Sequence, residues 1–174
     1  YNAAVRDPLT KAYNKKYFVD QLETEFSYAK RHNTPLSLVI FDLDHFKSIN
    51  DTYGHVAGDH VLIQIAELVQ QMLRTEDVFA RYGGEEFVII LRGIGLADAG
   101  VLAERLRAGV EQKHFMSGDK RLPVTVSVGV AARSASTTSS TSRATAPATS
   151  RASRIPTSAT RSTTSTTATT TSPR

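Results

Sequence analysis

Two adjacent glycines, Gly83 and Gly84, lie between apolar runs at residues 78–80 and 87–91. Such runs predict β-strands, and a short glycine-containing segment between them predicts a hairpin. Because primed hairpin turns need positive φ angles, which only glycine adopts without strain, we expect a tight turn at the two glycines. Glu85 and Glu86 follow at once and would point to opposite faces of a strand. Taken alone, this pattern favours a solvated hairpin tip whose acidic residues serve solubility.

The composition of the chain changes abruptly after residue 133. Of the 41 residues at 134–174, 25 are Ser or Thr, and Ile155 is the only large hydrophobe. Such a segment cannot bury enough apolar surface to offset its ordering entropy. We therefore predict a folded domain at residues 1–133 and a disordered, low-complexity tail at 134–174.

The positive charge of the chain belongs to this tail. It contains five arginines and no acidic residue, which leaves the first 133 residues with a formal charge of −1. The high pI is therefore no indication of a nucleic-acid-binding surface on the domain, and we expect no nucleic-acid partner.

Several classes of protein are disfavoured by what the chain lacks. It contains no cysteine, which excludes disulfides, a thiol nucleophile and a cysteine-built zinc site and suits a cytoplasmic location. A zinc site built from His45, His55 and His60 is disfavoured by their irregular spacing. The longest strongly apolar run has five residues, against the roughly 20 needed for a membrane span. The chain begins with Tyr1, which indicates a piece of a longer protein, such as the cytoplasmic part of a sensor.

The hydrophobic pattern predicts helices and strands in alternation. Helical spacing predicts helices at 16–31, 61–72 and 96–110 and a short helical turn at 45–49, and apolar runs predict strands at 36–41 and 124–130. Together with the hairpin, this order predicts an α+β sandwich in which helices cover a mostly antiparallel sheet.

Carboxylates stand at the ends of two predicted strands. Asp42 and Asp44 follow the run at 36–41, and Glu85 is predicted to begin the strand after the glycine pair. If the two strands are neighbours, Asp42 and Glu85 can share one hard cation. Mg²⁺ takes a few carboxylate oxygens and leaves its other positions to water and substrate phosphate.

Phosphate-binding groups follow the first of these strands. The backbone N–H groups of His45 and Phe46 open a helical turn, which is a favourable place for an anion. Lys47 can reach a phosphate as a point charge. Carboxylates, metal, amides and lysine together predict phosphoryl or nucleotidyl transfer. The alternative is an ordinary cluster of surface charges at strand ends.

These residues carry a resemblance to a known family. The segments FDLDHFKSIND at 41–51, GH at 54–55, GD at 58–59 and RYGGEEF at 81–87 closely resemble the diguanylate cyclase (GGDEF) family, and DPLT at 7–10 and SVGVA at 127–131 match its flanks. One departure is Lys11-Ala12, where the family usually has Gly-Leu.

The resemblance implies a palm-like fold and the condensation of two GTP molecules into cyclic di-GMP with Mg²⁺ or Mn²⁺ by a homodimer. It implies that Asp42, the carbonyl of Leu43 and Glu85 hold the metal, and that Glu85 is the base and Glu86 a supporting acid. The residues that it assigns to the substrate are Lys47, His45, Phe46, Gly83, Gly84, Asn50 and Asp59, of which the last two would read guanine. A carboxylate suits guanine, because adenine lacks the paired N1–H and N2–H₂ donors.

A second site is predicted by position. Arg74 and Asp77 lie where the family often places an Arg-x-x-Asp site at which cyclic di-GMP inhibits the enzyme, and Arg105 is a candidate third member. The alternative, from the local sequence alone, is that Arg74 is a basic residue at the C-terminal end of a helix, where the helix dipole commonly favours one.

The resemblance ends at residues 131–133. Family members continue with a helix and a final strand that supply a lysine and an arginine to the GTP phosphates, whereas the composition here is typical of a shifted reading frame. We expect this chain to be less stable and less active than one with the family's ending. The main alternative function is therefore an impaired domain that binds GTP or cyclic di-GMP as a regulatory module, and a nucleic-acid binder that uses the polar tail is a distant third.

Overall fold

In the computed structural model, which describes residues 3–135, four helices and six strands follow a short 3-10 helix at Ala3–Val5. The helices are α1 (Lys15–His32), α2 (Phe46–Tyr53), α3 (His55–Met72) and α4 (Leu96–Gln112). The strands are β1 (Leu36–Leu43), β2 (Val78–Arg81), β3 (Glu86–Arg92), β4 (Phe115–Ser117), β5 (Lys120–Leu122) and β6 (Val126–Arg133). Most of the predicted tail at 134–174 lies outside the described residues.

The main sheet has the strand order β2-β3-β1-β6, and all of its pairings are antiparallel. The neighbouring strands β1 and β3 place Asp42 opposite Glu86, and Asp42 also lies opposite Ser127 of β6. The predicted α+β sandwich with an antiparallel sheet is therefore confirmed, and the ends of β1 and β3 that carry carboxylates lie side by side.

The two faces of the sheet are covered differently. The larger buried cluster lies on the face covered by α2, α3 and α4, and the phenyl rings of Phe41, Phe79 and Phe87 stack at its centre. The smaller cluster lies under α1, where Phe18 packs with residues of β2 and β3. On that second face Ile40 is 47% exposed although β1 is an interior strand, so α1 covers only part of the sheet.

Three local predictions need correction. Gly83 and Gly84 lie in a hairpin loop, but neither has a φ in the left-handed region, so the predicted primed turn at the glycine pair is wrong. Glu85 does not begin β3, because that strand starts at Glu86. The last strand is β6 at Val126–Arg133 rather than 124–130.

The pattern also missed the short antiparallel hairpin formed by β4 and β5. Each of its strands has three residues, which is too short to show a hydrophobic period. Among the described residues, no helix is long and apolar enough to cross a membrane.

Candidate active site

The ends of β1 and β3 bring three carboxylates together. Asp42 lies near the end of β1, opposite Glu86, and Glu85 is the last loop residue before β3. Burial raises the pKa of Glu85, and the charges of Asp42 and Glu86 raise it further. The structure thus places the predicted metal-binding and acid–base residues in one electrostatically coupled group.

Asp42 fits a cation site. Its Oδ1 atom is buried and has no hydrogen-bond partner among the residues that the structure describes. An anionic oxygen buried without a partner is costly, and a cation would compensate it. Within residues 3–135, no three His, Cys, Asp or Glu side chains are arranged around one metal position. A cation here would therefore be held by Asp42 and Glu85 together with a backbone carbonyl, for which Leu43 is the predicted donor.

Asp44 has a different role. Its two carboxylate oxygens accept hydrogen bonds from the hydroxyls of Thr125 (2.7 Å) and Ser127 (2.6 Å). These two bonds are the largest cause of the lowered pKa of Asp44. Through these two hydrogen bonds Asp44 joins the end of β1 to the start of β6. The bonds hold the chain in place immediately before the predicted phosphate-binding turn.

The predicted phosphate-binding residues lie at the start of α2. His45 adopts a left-handed conformation with φ of 56°, and Phe46 is the first helical residue and is buried. The amides of a first helical turn have no partner within the helix, so they can donate to an anion. Lys47 is exposed and makes no ion pair with any described residue. The structure therefore brings these groups to the same end of β1 as Asp42.

Asn50 of α2 lies against Gly58, the residue of α3 that precedes Asp59. A Cβ atom on Gly58 would collide with the Asn50 side-chain oxygen and would lie 3.2 Å from the ring of Phe46. A side chain at this position would have to displace the Asn50 amide, so glycine lets Asn50 lie directly against α3. Asn50 is thereby held against the residue that precedes Asp59, whose side chain is exposed.

The hairpin loop is shaped by close contacts. A Cβ on Gly83 would collide with the carboxylate of Glu86, and the carbonyl of Glu86 accepts from the N–H groups of Tyr82 (2.8 Å) and Gly83 (3.2 Å). The Gly84 carbonyl accepts from Arg81 Nη2 at 2.6 Å. Gly83 therefore does not need a positive φ, and a side chain at this position would have to displace only the carboxylate end of the exposed Glu86 side chain.

Arg81 also joins the loop to the start of the chain. Its Nη1 atom lies 3.2 Å from Asp7 Oδ2, the oxygen that also accepts from the backbone N–H (2.8 Å) and the hydroxyl (2.7 Å) of Thr10. The N-terminal turn, whose chemistry the sequence indicated, thus supports the hairpin that carries Glu85.

The residues of the predicted inhibitory site line one cleft. Arg74, Asp77 and Arg105 face a cavity of about 160 Å³ together with Asp98, which the sequence did not single out. Asp77 Oδ2 accepts from the Arg74 backbone N–H (2.9 Å), while its Oδ1 is buried without a partner among the described residues. Burial raises the pKa of Asp77. This cleft and the β1–β3 carboxylates have no residue in common.

A family model and a curated relative both match this chain, and both are described as diguanylate cyclases. The family model described as "Diguanylate cyclase, GGDEF domain" matches residues 4–155, which extends beyond the predicted domain boundary at 133. A probable diguanylate cyclase of Escherichia coli K12, DgcT, is 40% identical over 130 residues, which cover 74% of this chain and 28% of that relative. The chain thus spans less than a third of the length of this curated relative.

Two solved structures are similar to the fold. The diguanylate cyclase SiaD of Pseudomonas aeruginosa, solved in complex with its activator SiaC, superposes with a TM-score of 0.72 at 40% identity, over 76% of this chain and 51% of that one. The GGDEF domain of DgcB from Caulobacter crescentus, solved in complex with c-di-GMP, gives 0.73 at 32% identity, over 76% and 80%.

Proposed function

Because the chain belongs to the diguanylate cyclase (GGDEF) family, we propose that it condenses two GTP molecules into cyclic di-GMP and two pyrophosphates with Mg²⁺ or Mn²⁺. The observation that carries this proposal is the pair Asp42 and Glu85, in which a buried unpartnered oxygen lies near a carboxylate of raised pKa. The pair has the character of a cation and proton-transfer site, because each feature is costly unless a cation or a proton compensates it.

Glu85 is the candidate base for the 3′-hydroxyl of GTP. In each of two equivalent steps, the 3′-oxygen of one GTP bonds to the α-phosphorus of the other, pyrophosphate leaves, and the hydroxyl proton passes to Glu85. The raised pKa suits this role, since a base works best when its pKa approaches the working pH. Glu86, which lies opposite Asp42 on β3, is the proposed supporting acid, and its charge contributes to the raised pKa of Glu85.

A divalent cation held by Asp42, Glu85 and the Leu43 carbonyl would supply charge neutralisation for the phosphates. The chain's own residues do the rest of the binding. The first-turn amides of α2 at His45 and Phe46 hold phosphate oxygens, and Lys47 adds a point charge. The backbone at Gly83 and Gly84, which carries no side chain and has open space around Gly84, is proposed to face the substrate beside Glu85.

Asn50 and Asp59 are proposed to read the guanine base. The Asp59 carboxylate accepts from N1–H and N2–H₂, and the Asn50 amide can both donate and accept. Adenine offers no equivalent pair of donors on that edge, so the site would prefer GTP to ATP. The packing of Asn50 against Gly58 supports this role, because it fixes the amide beside the turn that carries Asp59.

Each domain holds one GTP, so the reaction needs two copies that face each other. The cleft at Arg74, Asp77 and Arg105 is proposed to bind cyclic di-GMP as an inhibitor. Two guanidinium groups can clamp phosphates and stack on guanine, and the unpartnered Asp77 oxygen can accept from a base edge.

The experiment that tests the proposed reaction is incubation of the full chain with GTP and Mg²⁺, followed by chromatographic analysis of the products. Cyclic di-GMP and pyrophosphate in a 1:2 ratio would support a cyclase. A regulatory module is the second candidate, because the described residues leave Ile40 of the interior strand β1 47% exposed, and a sheet face without full cover favours a domain that binds nucleotide without turnover. That alternative predicts binding of GTP or cyclic di-GMP without turnover.

A further inference from the structure

The β4–β5 hairpin is fixed against the helix that carries Asp59. Gln64 of α3 donates from Nε2 to the Met116 carbonyl (2.9 Å) and accepts from the Met116 backbone N–H (3.4 Å). One turn earlier on α3, His60 Nδ1 lies 3.3 Å from the Ser117 hydroxyl. His60 directly follows Asp59, so these bonds hold the hairpin beside the turn that is proposed to read guanine.

A cavity of about 300 Å³ separates this hairpin from α2 and the start of α3. It is lined by Tyr53, Ala57, Ser117, Asp119, Lys120 and Leu122. Tyr53 lies one helical turn beyond Asn50, and Ala57 directly precedes Gly58, against which Asn50 packs. The cavity therefore adjoins the contact between Asn50 and α3, on the side away from the phosphate-binding turn at the start of α2.

Lys120 is the cation of this cavity. It is the first residue of β5 and is exposed, and its side-chain ammonium group makes no ion pair with any residue of 3–135, although its backbone pairs with Ser117 of β4. Its neighbour Arg121 points elsewhere, since it lines a separate cavity with Glu111 and Lys113. Successive side chains of a strand lie on opposite faces, so of these two residues only Lys120 lines the cavity beside Asn50.

Guanine has two recognition edges of opposite character. N1–H and N2–H₂ donate, and O6 and N7 accept, so a carboxylate can satisfy only the first edge. A lysine or arginine on O6 and N7 is the commonest protein contact to the second edge. Asp59 is proposed to bind the donor edge, and the adjoining cavity offers the Lys120 cation, which forms no ion pair with Asp119 in the same lining or with any other described residue.

We infer that Lys120 of the β4–β5 hairpin donates to the O6/N7 edge of guanine and so completes base recognition. The inference rests on the proposed function, because it needs GTP bound at Asn50 and Asp59. It assigns to the hairpin a role in specificity, in addition to its packing on α3.

The test measures equilibrium binding of GTP, 6-thio-GTP and 7-deaza-GTP to the full chain with Mg²⁺. Both analogues keep N1–H and N2–H₂, but 6-thio-GTP replaces O6 by the weakly accepting sulfur and 7-deaza-GTP lacks the N7 acceptor. The variants are Lys120→Met and, as a matched control on the same strand, Arg121→Met. Both positions are exposed, so neither change should disturb folding.

We expect Lys120→Met to weaken GTP binding by about tenfold and to lose most of the wild-type preference for GTP over the analogues. Arg121→Met should keep both the affinity and the preference. Equal preference in wild type and Lys120→Met, or an equal loss in Arg121→Met, would overturn the inference while leaving the proposed function standing. A wild-type chain that binds no GTP would overturn both.

Discussion

Arg81 and Asp7 form a half-buried ion pair that links the start of the chain to the loop carrying Glu85. Nη1 of Arg81 lies 3.2 Å from Asp7 Oδ2, and the two side chains are 17% and 16% exposed. The other end of the guanidinium group donates to the Gly84 carbonyl at 2.6 Å. One arginine therefore connects the N-terminal turn to the hairpin loop. A substitution at Asp7 should for this reason alter the position of the loop that carries Glu85.

This pair makes the stability of the domain depend on pH. Burial alone would raise the pKa of Asp7, but hydrogen bonds from Thr10 and the charge of Arg81 together lower it below 3.8. A lowered folded-state pKa gives stability that is present above the unfolded value and is lost as pH falls through the folded one. We expect Asp7→Asn to cost about 1 kcal/mol of unfolding free energy at pH 7.

The difference between wild type and Asp7→Asn should stay constant from pH 7 to about 5 and shrink below pH 3.8, as measured by urea denaturation. Asp20→Asn is the matched control, because the Asp20 carboxylate is exposed and makes no ion pair with a described residue. A difference that does not change between pH 7 and 3 would rule out a role for the Asp7 charge.

Lys11 holds a backbone conformation that favours glycine. Its φ is 63°, in the left-handed region, and the resembling family usually has glycine at this position. A left-handed L-residue costs ~1–2 kcal/mol, part of which is offset because glycine loses more entropy on folding. Lys11→Gly should therefore raise the free energy of unfolding by about 0.5 kcal/mol. Lys11→Ala, which keeps the strain, should give no gain, and equal stabilities of the two variants would contradict this explanation.

Glu85 is expected to destabilise the metal-free protein. Its pKa is raised by burial and by the charges of Asp42 and Glu86. For a carboxyl group with a raised folded-state pKa, stability falls as pH rises from the unfolded value of 4.5 through the folded one. At pH 7 without divalent cations, Glu85→Gln should therefore gain about 0.5 kcal/mol.

Adding Mg²⁺ should reverse this order, because a ligand that binds only the folded state stabilises it. The melting temperature of the wild type should rise with Mg²⁺ concentration, and that of Glu85→Gln should not. Glu67→Gln, at an exposed position of α3, is the control and should respond to Mg²⁺ as the wild type does. An identical Mg²⁺ response of Glu85→Gln and wild type would remove Glu85 from the cation site.

Arg74 is predicted to bind product in the cleft that it shares with Asp77 and Arg105. Arg74→Ala should weaken cyclic di-GMP binding at least tenfold, because a charge-assisted contact to phosphate is lost, and should raise the final yield of product. Arg107→Ala is the control, since Arg107 lies on α4 but pairs with Glu104 and Glu111. Calorimetry that finds equal affinity for cyclic di-GMP in Arg74→Ala and wild type would contradict an inhibitory site here.

The sequence predicted those parts of the fold that rest on long periodic patterns. The stripe at 61–72 and the apolar run at 36–41 were sufficient for α3 and β1, because burial sets both patterns. The turn at Gly83 was mispredicted, since a glycine pair in the sequence does not reveal whether either residue adopts a positive φ. The contact between Gly83 and the Glu86 carboxylate likewise exists only in the folded hairpin.

Long-range partners were also beyond the sequence. Asp44 resembles Asp42 in its position at a strand end, yet it is bonded to Thr125 and Ser127, more than 80 positions away along the chain. The same limit applies to Arg81, whose partner Asp7 lies in the N-terminal turn. The different roles of Asp42 and Asp44 follow from the register of β1 with β6, and no local sequence pattern encodes that register.

The proposed reaction is the condensation of GTP by two copies of this chain through Asp42 and Glu85. It is tested most directly by the initial rate of cyclic di-GMP formation from GTP and Mg²⁺ over a wide range of protein concentrations. We predict that the rate per copy rises with protein concentration until the dimer is saturated, and that Glu85→Ala gives no product at any concentration. A wild-type rate per copy that does not depend on concentration, no detectable product, or near-normal turnover by Glu85→Ala would contradict the account.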